Sequence, residues 1–313
     1  MKRLLAIALL WVAGVCRAQP VYQYYYLSVG SGNYEHRPEK FAEPGFLPFD
    51  ELPEAILSAR LMQGLLEKGA KAKGELVLSA EHSFITKQRL LAGLNRLDQR
   101  IRADHAVHPF IVFYYCGHGI SENMGWNQFF IPGNYTRTPG NKSFEELNNS
   151  LIFLGDITDF FLKKKYEYMV LVDCCRKEGK DSSLPEKRLS YFFSQQNVET
   201  FKTVVAALKY LNEYHQANPV VFAISPGSVV PTVAVPEQSF IPDSKAIADE
   251  VGPLCRRSLL VYQRFSRGAK KEMTVHDFVA MATGKSLDGG SPAPVSFYED
   301  QAPHASGLVI FRK

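Results

Sequence analysis

Apolar runs bounded by polar turns recur along the chain and alternate with segments of helical periodicity. The short apolar runs predict core strands, because strands in a buried sheet are apolar on both faces. Strands that alternate with helices are typical of an α/β fold with a mostly parallel sheet. The predicted core strands are Val21 to Val29, Leu76 to Leu78, Phe110 to Tyr115, Tyr168 to Val172, Val220 to Ile224 and Gly307 to Phe311.

Between these runs, apolar residues recur at the spacing of one helix face. Thr86 is predicted to cap one helix, because its hydroxyl can accept a backbone N–H that has no partner within the helix. Phe129 to Pro132 predicts a short excursion or a hairpin, and the polar stretches from Gly133 to Ser150 and from Arg176 to Leu189 predict exposed loops. The predicted helices are Leu52 to Lys68, Thr86 to Ala103, Leu154 to Lys164, Val198 to His215, Arg256 to Arg267 and Val275 to Ala282.

The first residues have the layout of a secretory signal peptide. Lys2 and Arg3 precede an apolar run that is too short to span a bilayer comfortably, and Ala18 supplies a small residue at the cleavage point. We therefore predict cleavage after Ala18. The protein is then expected to be secreted or periplasmic, with no stable membrane insertion once the signal peptide is removed.

Composition and charge limit the kinds of protein and partner that the sequence allows. Residues 19–313 carry a formal net charge of +1 instead of +4, because the predicted signal peptide contains three cationic residues. The sequence contains no basic stripe, so a nucleic-acid partner is not predicted. Hydrophobic residues make up 46% of the chain, which is enough to bury a full core. We predict one domain over residues 19–313, with a recognisable core over about 21–228 and a less certain part over 229–313.

Four cysteines follow the predicted leader, which is too sparse for a disulfide scaffold of this length. Their spacing does not predict a zinc site either, since two of them are adjacent and no CxxC pair occurs. Neither a metal nor an organic cofactor is predicted. The four residues are Cys116, Cys174, Cys175 and Cys255.

Two predicted strands run directly into residues with catalytic chemistry. His118 follows the strand that ends at Tyr115, and Cys175 follows the strand that ends at Val172. Ligands gather at the carboxyl ends of parallel strands, and neighbouring strands lie roughly 5 Å apart. His118 and Cys175 are therefore predicted to meet, although a histidine taken alone is as readily a packed core residue.

A cysteine beside a histidine can cleave an amide bond. The imidazole takes the thiol proton as the sulfur attacks a carbonyl, and it then returns a proton to the leaving amine. The backbone N–H groups of Gly119 and Cys175 are predicted to stabilise the oxyanion. Two alternatives stay open: an inactive protein that binds peptides in the same groove, and a thiol hydrolase of non-peptide amides or esters.

These motifs resemble those of caspase-like cysteine peptidases, the group of caspases, paracaspases and metacaspases. The Y-S-G-H-G motif of that group is similar to Tyr115 to Gly119 here, and its D-x-C-[HR] motif is similar to Asp173 to Arg176. The stretch YYLSVGSGNY from Tyr25 resembles the first strand of the family. LPEAILSARLM from Leu52 resembles its L-x-G-A-x-N-D-A-x-x-M helix, so the resemblance covers about residues 21–228.

The resemblance implies a three-layer α/β/α fold with a mostly parallel six-stranded sheet. It also implies a cysteine endopeptidase that acts on peptide or protein substrates without a cofactor, with Cys175 rather than Cys174 as nucleophile and His118 as general base and acid. In basic-specific relatives, two acids and a serine line the pocket for the side chain before the scissile bond. Ser58, Cys116 and Asp173 hold those positions here, so a weaker basic preference would depend on Asp173.

Overall fold

The protein is described by a computed structural model over residues 21–35, 51–80, 83–122, 127–135, 149–175, 220–225, 251–283, 297–300 and 308–313. These residues form an α/β fold with a mixed central sheet and flanking helices, which confirms the predicted fold class at that level. The predicted signal peptide, the predicted helix from Val198 to His215 and the predicted loop from Arg176 to Leu189 lie outside the described residues.

The elements follow in the order in which the chain forms them. The helices among the described residues are α1 (Pro53–Gly69), α2 (Lys87–Ala103), α3 (Leu154–Lys163), α4 (Pro253–Arg267) and α5 (Val275–Thr283). The strands are β1 (Gln23–Gly30), β2 (Lys73–Leu78), β3 (Pro109–Glu122), β4 (Asn127–Phe130), β5 (Ile152–Phe153), β6 (Glu167–Cys175), β7 (Val220–Ser225), β8 (Glu272–Thr274), β9 (Phe297–Asp300) and β10 (Val309–Arg312).

The central sheet has the strand order β2-β1-β3-β6-β7-β9. Its first five strands are parallel to one another, and β9 runs antiparallel to β7 at the edge. The end of β3 continues beyond this part of the sheet and pairs antiparallel with β4, which in turn pairs with β5. The sheet is therefore mixed, and β3 and β6 lie side by side near its middle.

Helices cover both faces of the sheet, because side chains alternate along each strand. On β3, Phe110, Val112 and Tyr114 pack into one core with α1, α4 and α5. Their neighbours pack into a second core with α2 and α3 on the opposite face. Nearly all of these side chains are fully buried, so both cores hold the carboxyl ends of β3 and β6 in fixed register.

Local predictions have mixed outcomes. Thr86 caps α2 as predicted, since its Oγ1 accepts the N–H of Arg89 at 3.1 Å, and the predicted hairpin is present as the β3–β4 pair. The predicted strand over Gly307 to Phe311 is present as β10, and Ile310 and Phe311 are buried in the core. This strand is not part of the central sheet: it pairs antiparallel with β8 in a separate two-stranded sheet, and a short apolar run alone does not specify its partner.

Candidate active site

The ends of β3 and β6 bring the two predicted catalytic positions together. In the parallel register, Gly117 lies opposite Cys174, and His118 lies opposite Cys175. Cys175 is the last residue of β6, and His118 is the last residue of β3 that pairs with it. Neighbouring strands are about 4.8 Å apart, so the backbones of His118 and Cys175 are adjacent at the carboxyl edge of the sheet.

Gly117 owes its identity to a crowded and unusual backbone position. Its φ is 157°, a value that residues with a side chain rarely adopt. A Cβ at this position would lie 2.6 Å from Tyr115 Oη and 3.0 Å from the carbonyl oxygen of Ser31. The glycine that precedes His118 is therefore required both by conformation and by space.

Hydrogen bonds hold the backbone of His118 on both of its polar groups. The N–H of His118 donates to Tyr34 Oη at 2.9 Å. Its carbonyl oxygen accepts from Tyr115 Oη at 3.1 Å and from the N–H of Ile131 at 3.1 Å. The residue is 2% exposed, so the backbone that carries the imidazole is fixed in a buried position.

Tyr34 also contacts the imidazole itself. Its ring centroid lies 4.8 Å from that of His118, with the two planes tilted by 54°, and its hydroxyl donates to the carbonyl oxygen of Ser31 at 2.9 Å. Burial raises the pKa of Tyr34 well above its usual range, so the phenol stays neutral. Tyr34 is not among the site residues predicted from the sequence; the available signal is an aromatic residue two positions after Gly32, just beyond the end of β1.

Gly119 lies where β3 passes from its ladder with β6 to its ladder with β4. It is opposite Phe130, next to the hydrogen-bonded pair of His118 and Ile131. Successive residues of a strand direct their backbone groups to opposite sides. The N–H of Gly119 is therefore directed away from β4 and towards the side of β6, where the backbone of Cys175 lies.

The three residues predicted to line the substrate pocket are close to one another and buried. Cys116 on β3 lies opposite Asp173 on β6, and Ser58 on α1 joins them through the segment that begins α4. The N–H of Gly252 donates to Ser58 Oγ at 2.8 Å, while Cys255 Sγ contacts the carbonyl oxygen of Ser58 at 3.4 Å. The start of α4 thus covers Ser58 and Asp173, and all three residues are at most 4% exposed.

Asp173 caps α4 from a neighbouring strand. Its carboxylate accepts the N–H of Leu254 and the N–H of Cys255, both at 2.9 Å, and the hydroxyl of Tyr114 at 2.8 Å. A negative group is favoured at a helix N-terminus, where backbone N–H groups lack partners within the helix. Pro253 in the first turn is a helix-start signal, yet the predicted helix begins only at Arg256, so this contact was not predicted.

Two further cysteines, Cys116 and Cys255, lie near this end of the sheet. Cys116 and Cys255 are free thiols and buried. Burial, and then the nearby charge of Asp173, raise the pKa of Cys255 well above its usual value. A buried thiol that stays protonated is a poor nucleophile, so Cys255 is not suited to covalent catalysis.

Comparisons with known proteins add no family to this geometry: neither a protein-family model nor a curated protein matches the chain.

In the part of the chain that the structure describes, no helix is both long and apolar enough to cross a membrane. Within the same residues, no group of three or more His, Cys, Asp or Glu side chains is arranged to hold a metal ion.

Proposed function

We propose that this protein is an exported cysteine endopeptidase with a caspase-like arrangement of its sheet and flanking helices. The observation that carries the proposal is the register of β3 and β6, in which His118 lies opposite Cys175 at the end of the parallel ladder. Cys174 lies opposite Gly117 in the same ladder, which favours Cys175 as the nucleophile. The signal-peptide pattern ending at Ala18 supports export, to the periplasm or the cell exterior.

In the proposed reaction, His118 takes the thiol proton of Cys175 as the sulfur attacks the peptide carbonyl carbon. The resulting oxyanion accepts hydrogen bonds from the N–H groups of Gly119 and Cys175. His118 then gives the proton to the leaving amine, and the C–N bond breaks to leave a thioester. Water hydrolyses the thioester, with His118 taking and returning one proton, which regenerates the free thiol.

A preference for basic residues is not needed by this proposal. The Asp173 carboxylate already accepts three hydrogen bonds within the protein and is 2% exposed. A substrate arginine or lysine would have to displace the helix N-terminus to reach it, and buried polar groups are costly to leave without partners. We therefore expect that Asp173 does not determine which residue the enzyme prefers before the scissile bond.

One observation favours a second candidate function, a peptide-binding protein without catalysis. The His118 residue is 2% exposed, and the three residues that would line the specificity pocket are buried, two of them, Ser58 and Asp173, against the start of α4. Turnover requires a substrate carbonyl to reach this end of the strands, whereas a peptide that only binds to the protein does not need to reach His118. The two candidates differ in whether the covalent chemistry of Cys175 is used.

A peptide-library cleavage profile of the mature protein separates these candidates. Cys175→Ala should abolish turnover, whereas the adjacent Cys174→Ala should retain it, because only the first removes the proposed nucleophile. His118→Gln should also lower kcat by about 100-fold or more, since general acid–base catalysis contributes on that order. Equal turnover by the wild type and Cys175→Ala would refute the peptidase, and binding without cleavage by both would favour the second candidate.

Small amide and ester substrates belong in the same assay, because the chemistry of the dyad is not limited to peptides. Turnover confined to small esters, with no peptide cleaved, would contradict the endopeptidase and leave a thiol hydrolase of non-peptide substrates. The account predicts cleavage within peptides, lost in Cys175→Ala and kept in Cys174→Ala.

A further inference from the structure

We infer that Tyr34 is a positioning residue for the imidazole of His118, an inference that rests on the proposed function. Two independent contacts carry it. The Tyr34 hydroxyl accepts the backbone N–H of His118 at 2.9 Å, and the Tyr34 ring packs against the imidazole with 4.8 Å between centroids. One side chain thus fixes both the main chain and the ring of the proposed general base.

The hydroxyl of Tyr34 also joins the ends of two neighbouring strands. It donates to the carbonyl oxygen of Ser31, just after β1, while it accepts from His118 on β3. The N–H of Ser31 in turn donates to the carbonyl oxygen of Cys116 at 2.9 Å. The Tyr34 side chain therefore ties the His118 backbone to the end of β1, and the backbone bond ties the same end of β1 to Cys116, two residues before His118.

The Tyr34 bridge lies in buried surroundings. Tyr34 is 3% exposed, and burial raises its pKa well above its usual value, so the phenol keeps the proton that it donates to Ser31. Hydrogen bonds in such surroundings are strong, and a buried N–H that loses its acceptor is costly. Removal of the hydroxyl alone leaves the His118 N–H without this acceptor while the ring contact remains.

The two contacts can be separated by substitution. Tyr34→Phe removes the hydroxyl and keeps the ring, whereas Tyr34→Leu removes both. Tyr166→Phe is the matched control, because it removes a tyrosine hydroxyl that donates to Asp98 Oδ1 at 2.6 Å, far from His118 along the sheet. Misplacement of a catalytic group by about 1 Å can cost about 100-fold in rate.

We expect Tyr34→Phe to lower kcat by about 10- to 100-fold with KM unchanged, and Tyr34→Leu to lower kcat further. Tyr166→Phe should leave both constants unchanged. Equal kcat values for Tyr34→Phe, Tyr166→Phe and the wild type would overturn the inference. A loss that appears in KM alone would also overturn it, because a positioning residue for the base acts on the chemical step.

A spectroscopic measurement tests Tyr34 even if the protein turns over no peptide. Selective labelling with ¹⁵N- and ¹³C-histidine reports the amide and ring signals of the eight histidines, and His118→Gln identifies those of His118. Tyr34→Phe should move the His118 amide signal and speed its solvent exchange, and Tyr34→Leu should also remove the ring-current shift of the imidazole protons. Unchanged His118 signals in both variants would overturn the inference, whereas changed signals without turnover would refute only the peptidase.

Discussion

Tyrosine hydroxyls have different surroundings at the amino edge and at the carboxyl edge of the central sheet, that is, where its parallel strands begin and where they end. At the amino edge, three tyrosines donate to carboxylates in a partly buried setting: Tyr22 to Glu167, Tyr25 to Asp104 and Tyr26 to Glu67. At the carboxyl edge, the three tyrosines are fully buried and converge on the candidate site. Tyr34 and Tyr115 bond the backbone of His118, and Tyr114 bonds Asp173.

The difference shows how burial changes the role of one type of contact. At the amino edge, Asp104 also pairs with Lys73, whose side chain is 60% exposed, and surface pairs of this kind contribute little. Burial and the hydrogen bond to Asp104 raise the pKa of Tyr25 to about 12, so the Tyr25 phenol stays neutral and continues to donate to Asp104. At the carboxyl edge the partners are the Asp173 carboxylate, which caps α4, and the His118 backbone, so the same residue type fixes the frame of the site.

The largest effect on stability should follow removal of the buried carboxylate at the carboxyl edge. Asp173→Ala leaves two N–H groups of α4 and the Tyr114 hydroxyl without this acceptor, and we expect a loss of about 2–4 kcal/mol in the free energy of unfolding. Urea denaturation measures it. Asp104→Ala, at the amino edge, is the matched control and should lower the urea midpoint much less. Equal losses would contradict the contrast between the edges.

A smaller effect is expected when only the tyrosine hydroxyls are removed. Tyr114→Phe takes a buried donor from Asp173 and should cost about 1–2 kcal/mol, whereas Tyr25→Phe should cost less than about 1 kcal/mol because water can replace the partner of Asp104. Thermal unfolding of both variants in one buffer gives the comparison. A larger loss for Tyr25→Phe would reverse the ranking of the two edges.

The smallest expected effect is on the pH dependence of stability, through Asp98 at the amino edge. Burial opposes the ionisation of Asp98, but hydrogen bonds from Tyr166, Arg102 and Lys164 outweigh it and lower its pKa below the usual 3.8. A lowered folded-state pKa stabilises the protein above about pH 4, and this contribution is lost as the pH falls further. Urea midpoints between about pH 3 and pH 6 should therefore fall less steeply for Asp98→Asn than for the wild type. Identical slopes would exclude Asp98 as a source of acid sensitivity.

Much of the sheet follows from the hydrophobic pattern, because each parallel core strand is a continuous apolar run. The runs from Phe110 and from Tyr168 predict β3 and β6, and their ends supply the pair of His118 and Cys175 in register. Pattern does not specify partners for short or polar segments. For that reason the run from Gly307 to Phe311 predicts a strand, present as β10, but not its pairing with β8, and no pattern predicts β8, β9 or the short β5.

Contacts between distant segments were the part of the site that the sequence could not supply. Asp173 meets Leu254 and Cys255 across about 80 positions, and Tyr34 meets His118 across 84, so no local spacing reveals either contact. The sequence predicts Asp173 as a site residue, but its partner is the start of α4, a helix that the pattern begins three residues too late. Its role as a cap therefore needed the fold.

Covalent labelling tests the central claim, the pairing of His118 with Cys175, most directly. The mature protein is treated with a short peptide that carries a cysteine-directed electrophile, and peptide mapping by mass spectrometry locates the adduct. The account predicts modification of Cys175 and not of Cys174 or the buried Cys255, at a rate that falls sharply in His118→Gln. An adduct on Cys174, or labelling of Cys175 at the same rate without His118, would contradict it.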